Sequence, residues 1–297
     1  MDGSAGAAKS IPKIPVTDLI SIVITTYNRS EALLPVLAAL ADQDDMEFEL
    51  IVADDGSTQV HQDAIQAGAV RLGLPLTHVW HPDVGFTASR VRNLGVANAF
   101  GDYIVLLDGD CVPETDFVRR HRLLREPGCF VNGSRVLLSQ RLTQAVTTGE
   151  TRLHGRTAAF WLKARLTGDA SKLGGLLRLP DFAGRKPAGF HWKGIRSCNM
   201  GVWRRDYAAV DGFDESFVGW GHEDADFVLR LHNAAIQRKN GFCATEVYHL
   251  WHAQASRMEE SKNAAIVRER MRSAQVRSTM GFRESQSATN AVIHRWG

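Results

Sequence analysis

The sequence predicts an α/β protein: a mixed, mostly parallel sheet with helices on both faces. Three observations predict it. Apolar runs of strand length recur four times between residues 19 and 107, helical patterns separate them, and three of the four break off into polar residues that include aspartates. Strands alternating with helices favour crossover connections and therefore parallel pairing. In such sheets ligands bind beyond the carboxyl ends of the strands, so those polar breaks are where function is sought. A chain of 297 residues, 44% hydrophobic, is long enough for one large domain or two small ones with a sizeable core.

The elements follow in order. Leu19 to Thr26 reads as a buried strand, ended by Tyr27-Asn28-Arg29-Ser30. Leu33, Leu34, Leu37 and Leu40 then fall at helical spacing, with Ser30 as the N-cap. Phe48 to Ala53 is a second strand, closed by Asp54-Asp55-Gly56-Ser57-Thr58. A helix from Gln59 to Leu72, a strand from Leu76 to Trp80, a helix from Ala88 to Ala99 and a strand from Tyr103 to Leu107 complete the alternation. After Gly128 it lapses. Val131 to Leu138 reads as one strand, Ser197 to Trp203 as another, Glu223 to Ala235 as a helix, and Thr245 to His252 as the last strand. Arg/Glu pairs from Ser256 to Met280 mark a charged helix. The expected organisation is a flexible leader over 1–18, a domain over 19–255 with halves at 19–134 and 135–255, and a helical extension over 256–297.

Composition narrows the class. Cys111, Cys129, Cys198 and Cys243 form no C-x-x-C pair, which predicts reduced thiols and a cytoplasmic protein. No stretch approaches 18 uninterrupted apolar residues, so at most a peripheral membrane association is expected. The net charge of +2 conceals an asymmetry: between Arg135 and Arg196 twelve Lys/Arg face three Asp/Glu, leaving that segment at +9. Such a segment favours an anionic partner. Nucleic acid is not expected as that partner. A Rossmann oxidoreductase is excluded by chemistry, because its first strand must end in a glycine-rich turn that lets the backbone approach a pyrophosphate. Here Thr25-Thr26-Tyr27-Asn28-Arg29 stands there, without a glycine.

Two acidic clusters carry the candidate chemistry. Asp108-Gly109-Asp110 leaves the strand ending at Leu107, and Glu223-Asp224-Ala225-Asp226 follows Gly219-Trp220-Gly221-His222. Carboxylates leaving a buried strand are costly unless a cation or a reacting proton meets them. A D-x-D there can hold a divalent ion against phosphates, since hard cations prefer oxygen ligands. The second cluster offers a general base. Together they suggest metal-dependent transfer from a nucleotide-activated donor.

Six motifs in order resemble the family 2 glycosyltransferases of GT-A fold. They are Ser21 to Arg29, Ile51 to Thr58, Arg92-Asn93-Leu94-Gly95, Leu106 to Asp110, Gly212-Phe213-Asp214-Glu215 and Gly219 to Asp226. The last two look like the carboxyl-terminal half of the galactosyltransferase-type branch. The resemblance covers about residues 20–253, and nothing in it matches 135–196. It implies an inverting transferase that moves a hexose or N-acetylhexosamine from a UDP-sugar, using Mn2+ or Mg2+. It implies Asp54 on the uracil base, Thr26, Tyr27 and Arg29 in the nucleotide pocket, and Arg92 near the nucleotide or phosphates. Asp108 would serve ribose or metal and Asp110 the ion, with His249 or His252 as a further ligand. The branch carries Met-x-x-His there, so His249-Leu250-Trp251-His252 matches its spacing but not its first residue. Asp224 is the expected base, with Glu223 and Trp220 on the acceptor. A sugar nucleotidyltransferase would need a glycine-rich loop that is missing after Ile24, and a non-catalytic carbohydrate-binding module could dispense with Asp110 or Asp224. The +9 segment, through Arg152, Arg156, Lys163, Arg165, Arg185 and Lys186, is expected to hold an anionic glycan or lipid-linked acceptor at the inner face of the cell membrane.

Overall fold

The computed structural model describes residues 18–217, 219, 221–253, 260–288 and 290–296. Its first half is β1 (Ile20–Thr26), α1 (Ser30–Ala41), β2 (Phe48–Asp54), α2 (Gln59–Leu72), β3 (Leu76–Trp80), α3 (Ala88–Ala97) and β4 (Tyr103–Asp108). Then come β5 (Cys111–Pro113), α4 (Phe117–Leu124), β6 (Cys129–Asn132), β7 (Ser134–Leu137), α5 (Gln140–Thr147) and α6 (Ala158–Leu166). The remainder is β8 (Asn199–Trp203), α7 (Arg204–Ala209), α8 (Glu223–Asn233), β9 (Gln237–Asn240), β10 (Glu246–His249), α9 (Glu260–Arg270), α10 (Phe282–Gln286) and β11 (Val292–Trp296).

The large sheet runs β11-β3-β2-β1-β4-β8-β6-β9. β1 pairs in parallel with β2 and β4, and β2 with β3, so three strand ends that carry polar residues face one edge. β8 inserts antiparallel between β4 and β6, which makes the sheet mixed. Alternate side chains of β1 serve two cores, as a period of two requires. Ile20, Ile22 and Ile24 pack with Leu33, Val36, Leu37 and Leu40 of α1. Val23 joins Ile51, Ala53 and the α3 residues Val91 and Leu94 on the other face.

The structure departs from the sequence reading in three places. Ser30 is the first residue of α1 rather than its cap; Arg29 flanks the helix and the Ser30 hydroxyl meets His61 Nδ1 at 2.9 Å. The run from Val131 to Leu138 is two strands, not one. It breaks at Gly133, where a Cβ would lie 2.3 Å from Asn199 Cγ, and β7 enters a separate sheet of order β5-β10-β7. Of the expected charged helix over 256–280, residues 256–259 lie outside the described ones, Glu260–Arg270 is helical and the rest is not, and the chain then returns so that β11 pairs antiparallel with β3. That pairing covers an otherwise open strand edge. All four cysteines are free. Trp220 and residues 1–17 lie outside the described residues.

Candidate active site

The carboxyl ends of β1, β2 and β4 open onto a cleft of about 890 Å3, closed on the far side by the segment 192–198, the start of α8 and the residues after β10. Thr26, Tyr27, Arg29, Arg92, Asp108, Asp110, Glu223, Asp224, His249 and His252 all line it, so the structure gathers nearly every residue singled out from the sequence.

Asp54 is the correction. It is fully buried and does not line the cleft: its carboxylate accepts from the Ser57 N–H at 2.8 Å and meets His78 Nε2 at 2.9 Å. Asp55 lines the cleft instead, held by the Thr87 N–H at 3.0 Å and by His81 Nε2 at 3.0 Å. Neighbouring residues at a strand end point to opposite sides, so only one of the pair can face a ligand. Tyr27 donates its hydroxyl to Asp83 at 2.9 Å, and that hydrogen bond raises its pKa above the usual phenol range.

The D-x-D turn is fastened by backbone. Gly109 N–H donates to Thr25 O at 2.8 Å, and a Cβ at Gly109 would lie 2.8 Å from that same oxygen, so only glycine fits between the two aspartates. Leu250 N–H donates to Asp110 O at 2.9 Å, and His249 sits opposite Cys111 where β10 pairs with β5. The small sheet thus delivers both histidines to the turn. Asp110 lies 3.7 Å from His249 Nε2 and 3.5 Å from His252 Nε2, beyond the roughly 3.2 Å reach of a good hydrogen bond yet close enough to share one ion. Burial pushes the His249 pKa down, keeping the imidazole in its neutral, ligating form. Burial raises the neighbouring Cys111 thiol well above its ordinary range, so it stays protonated. This donor set fits a divalent cation. Arg29 Nη1, 3.1 Å from the Asp110 oxygen that His252 approaches, supplies a fixed positive charge beside it.

Asp108 turns the other way. It accepts from Thr25 Oγ1 at 3.0 Å and from Arg92 Nη2 at 3.3 Å. Arg92, almost wholly buried, reaches Glu223 through its other terminal nitrogen at 3.3 Å and stacks its guanidinium 5.1 Å from the Phe213 ring centroid. One side chain therefore ties the D-x-D to the second acidic cluster. That cluster begins α8, and the residue before it, His222, has a φ of 69°. A non-glycine residue in this region carries strain of order 1 kcal/mol or more. No residue pattern signals it. Burial and the Glu223 charge push the Asp224 pKa up to about 7, against the opposing pull of Arg92. A carboxylate poised there can take a proton near neutral pH.

The basic segment is corrected too. None of Arg152, Arg156, Lys163, Arg165, Arg185 and Lys186 lines the cleft. Arg185 is fully buried and donates to the carbonyls of Leu179, Pro180, Asn240 and Phe242, holding a loop together. Arg152 approaches Asp42 at 3.7 Å, and Lys186 pairs with Glu126. The cations of that segment that do face the cleft are Arg135, Lys193 and Arg196. They belong to the same +9 segment, but nothing in the sequence separates them from the other nine.

One cleft thus joins a D-x-D, a histidine pair and a carboxylate of raised pKa at a parallel strand edge. Residues 21–137 match the family model for glycosyl transferase family 2, and residues 186–253 match the model described as the N-terminal domain of galactosyltransferase. The chain is thus similar to family 2 glycosyltransferases over its first half and to the galactosyltransferase type further on. It is similar to validoxylamine A glucosyltransferase of Streptomyces hygroscopicus subsp. jinggangensis, 29% identical over 239 residues, 78% of this chain and 54% of that protein. It is also similar to hyaluronan synthase of Pasteurella multocida, 29% identical over 233 residues, 71% of this chain and 22% of that one. The chain spans about half the length of the glucosyltransferases it matches. Among solved structures, S. aureus TarS superposes with a TM-score of 0.55 at 14% identity, covering 90% of this chain and 41% of TarS. The mannosyltransferase PcManGT of Pyrobaculum calidifontis, solved with GDP-Man and Mn2+, gives 0.50 at 16%, covering 79% of this chain and 57% of that one.

Proposed function

We propose that this chain is an inverting, metal-dependent glycosyltransferase that moves a hexose or N-acetylhexosamine from a UDP-sugar to a hydroxyl of a glycan or glycolipid, in cell-surface polysaccharide or lipopolysaccharide synthesis. One observation carries the reading: a single cleft holds a divalent-ion donor set at one end and an elevated carboxylate at the other, with Arg92 between them. Mn2+ or Mg2+, held by Asp110 with His249 and His252, would supply Lewis acidity toward the departing diphosphate. Support for a nucleotide diphosphate comes from TarS, also solved in complex with UDP, and from PcManGT with GDP-Man and Mn2+.

The chain's own residues divide the remaining work. Asp55 presents a carboxylate to the N–H edge of the base, and Thr26 and Tyr27 frame the nucleoside. Asp108 accepts from the ribose, while Arg29 adds positive charge for the phosphates. Asp224 removes the acceptor hydroxyl proton as that oxygen attacks the anomeric carbon opposite the leaving group; no second, nucleophilic carboxylate is needed. Glu223 keeps the Asp224 pKa high enough for that task. The same reading sets the enzyme in the cytoplasm at the inner face of the cell membrane. Among the described residues no helix is long and apolar enough to cross a membrane.

The test is release of nucleoside diphosphate from a panel of nucleotide sugars, with Mn2+ or with EDTA. Metal-dependent UDP release from one UDP-sugar is expected. Pyrophosphate release from UTP plus a sugar phosphate would instead identify a nucleotidyltransferase, and UDP-sugar binding without turnover a non-catalytic module.

A further inference from the structure

A second cavity, of about 400 Å3, opens off the acceptor side of the cleft and shares Arg135, Leu137, Gly194 and Arg196 with it. Four cations line it: Arg135 on β7, Lys172, Arg196, and Arg238 on β9. Three of them form no ion pair among the described residues and contact only neutral acceptors. Arg135 reaches Cys198 Sγ at 3.7 Å, Arg196 the Ile195 carbonyl at 2.8 Å, and Arg238 the carbonyls of His191 at 2.9 Å and Lys193 at 3.2 Å. The carboxylate beside Lys172, Glu246, lies 3.7 Å from it and already accepts from the N–H groups of Cys243 and Ala244. Burial and the Arg196 charge hold the Arg238 pKa below the usual arginine range.

The crowding is held in place. Asn132 on β6 donates to Gly194 O at 3.1 Å and accepts from the Arg196 N–H at 2.9 Å, while Arg238 clasps two carbonyls of the same segment. Like charges fixed together in a concave, partly desolvated site are costly until an anion joins them. Guanidinium forks suit planar or tetrahedral oxyanions, which they bind through paired hydrogen bonds. Arg196 also lies within electrostatic reach of Asp224. A group seated in the cavity would therefore be borne by the molecule whose hydroxyl Asp224 deprotonates.

We propose that this cavity is an oxyanion subsite that seats a phosphate or carboxylate carried by the acceptor, so that the enzyme selects acidic acceptors. The proposal rests on the transferase reading above. Its test is calorimetric titration of inorganic phosphate, and separately of glucuronate, into the full chain already saturated with UDP and Mg2+. Saturable binding of at least one anion is expected, weakened about tenfold or more in Lys172→Gln and in Arg238→Gln, and largely restored in Arg238→Lys. UDP affinity should stay within about twofold throughout. Stronger binding of phosphate assigns a phosphorylated acceptor, stronger binding of glucuronate a uronate. If Arg238→Gln does not fold, Lys172→Gln decides alone, since that side chain is 41% exposed and supports no core. Absence of saturable binding, or binding unchanged in the variants, would overturn the subsite and leave the donor reading intact. Failure of the wild-type chain to bind UDP would instead overturn the donor reading.

Discussion

The two sides of the cleft are built differently. On the donor side the acidic groups are pinned from the sheet and from α3: Asp108 by Thr25 and Arg92, Asp55 by Thr87 and His81, and the D-x-D turn by backbone bonds to Thr25 and Leu250 on either side of it. On the acceptor side the cations project from the irregular segment 192–198 and from short strands, anchored through Asn132 and Arg238. Strand ends fix a side chain through a continuous hydrogen-bond ladder. A loop fixes it only through its few anchors, and so can change its cargo without disturbing the sheet. Under the proposed function the donor side would hold the nucleotide and the ion, and the acceptor side would set the selectivity.

The comparison breaks first at the metal. Asp110→Asn should lower turnover by on the order of 10⁴ or more, because it removes several kcal/mol of charge stabilisation at the diphosphate. Steady-state UDP release against Mn2+ concentration checks this; full activity of that variant in excess EDTA would end the metal assignment. Next in size is Asp224→Asn, with an expected loss on the order of 10² to 10⁴ in turnover. Calorimetry should show UDP affinity unchanged, since the base faces the acceptor, and a parallel loss of UDP binding would move Asp224 to the donor side.

The adjacent aspartates sharpen the contrast within the donor side. Asp55→Asn should weaken UDP binding about tenfold with little effect on melting. Asp54→Asn should leave UDP binding near wild type but cost about 1–3 kcal/mol of stability, because it disturbs a buried carboxylate bonded to His78 and Ser57. Denaturant melts beside UDP titrations separate the two, and a reversed pattern would restore Asp54 to the base. The smallest effect is a shift of pH. A base must be unprotonated, so turnover should rise with pH through about 7, the value of Asp224. Glu223→Gln removes a charge that raises this pKa and should move the acidic limb of kcat to lower pH. Stability carries the opposite sign. The folded state holds the proton more tightly than an ordinary carboxylate at 3.8, so this group's contribution declines as pH rises from there toward about 7. An unmoved limb in Glu223→Gln would detach the two residues.

Legibility followed the same division. α2 and β3 occupy the spans read from periodicity alone, because their ends are marked by Gly73, Thr58 and the polar residues after Trp80. β9, Gln237-Arg238-Lys239-Asn240, carried no apolar signal and was missed, although Lys239 is buried there against Glu126 and Asp181. The break at Gly133 was invisible because the run on either side of it keeps its strand pattern. Arg270 falls within the span whose Arg/Glu pairs mark a charged helix. It is drawn inward to Asp214 at 2.8 Å and Asp226 at 2.7 Å, which fastens α9 to the helix that carries Asp224.

The alternating sheet, the acidic strand ends, the histidine spacing and the excess of positive charge are legible in the residues alone, since each is a pattern of neighbours along the chain or a simple count. Only the tertiary structure decided which member of a pair faces the cleft, as with Asp54 and Asp55, and which of twelve cations gather there. Those outcomes depend on strand twist, loop anchoring and contacts between residues more than sixty apart, such as Asn132 with Arg196 and Arg92 with Glu223. Distance along the chain holds no record of such meetings; the packing of one sheet against its loops creates them.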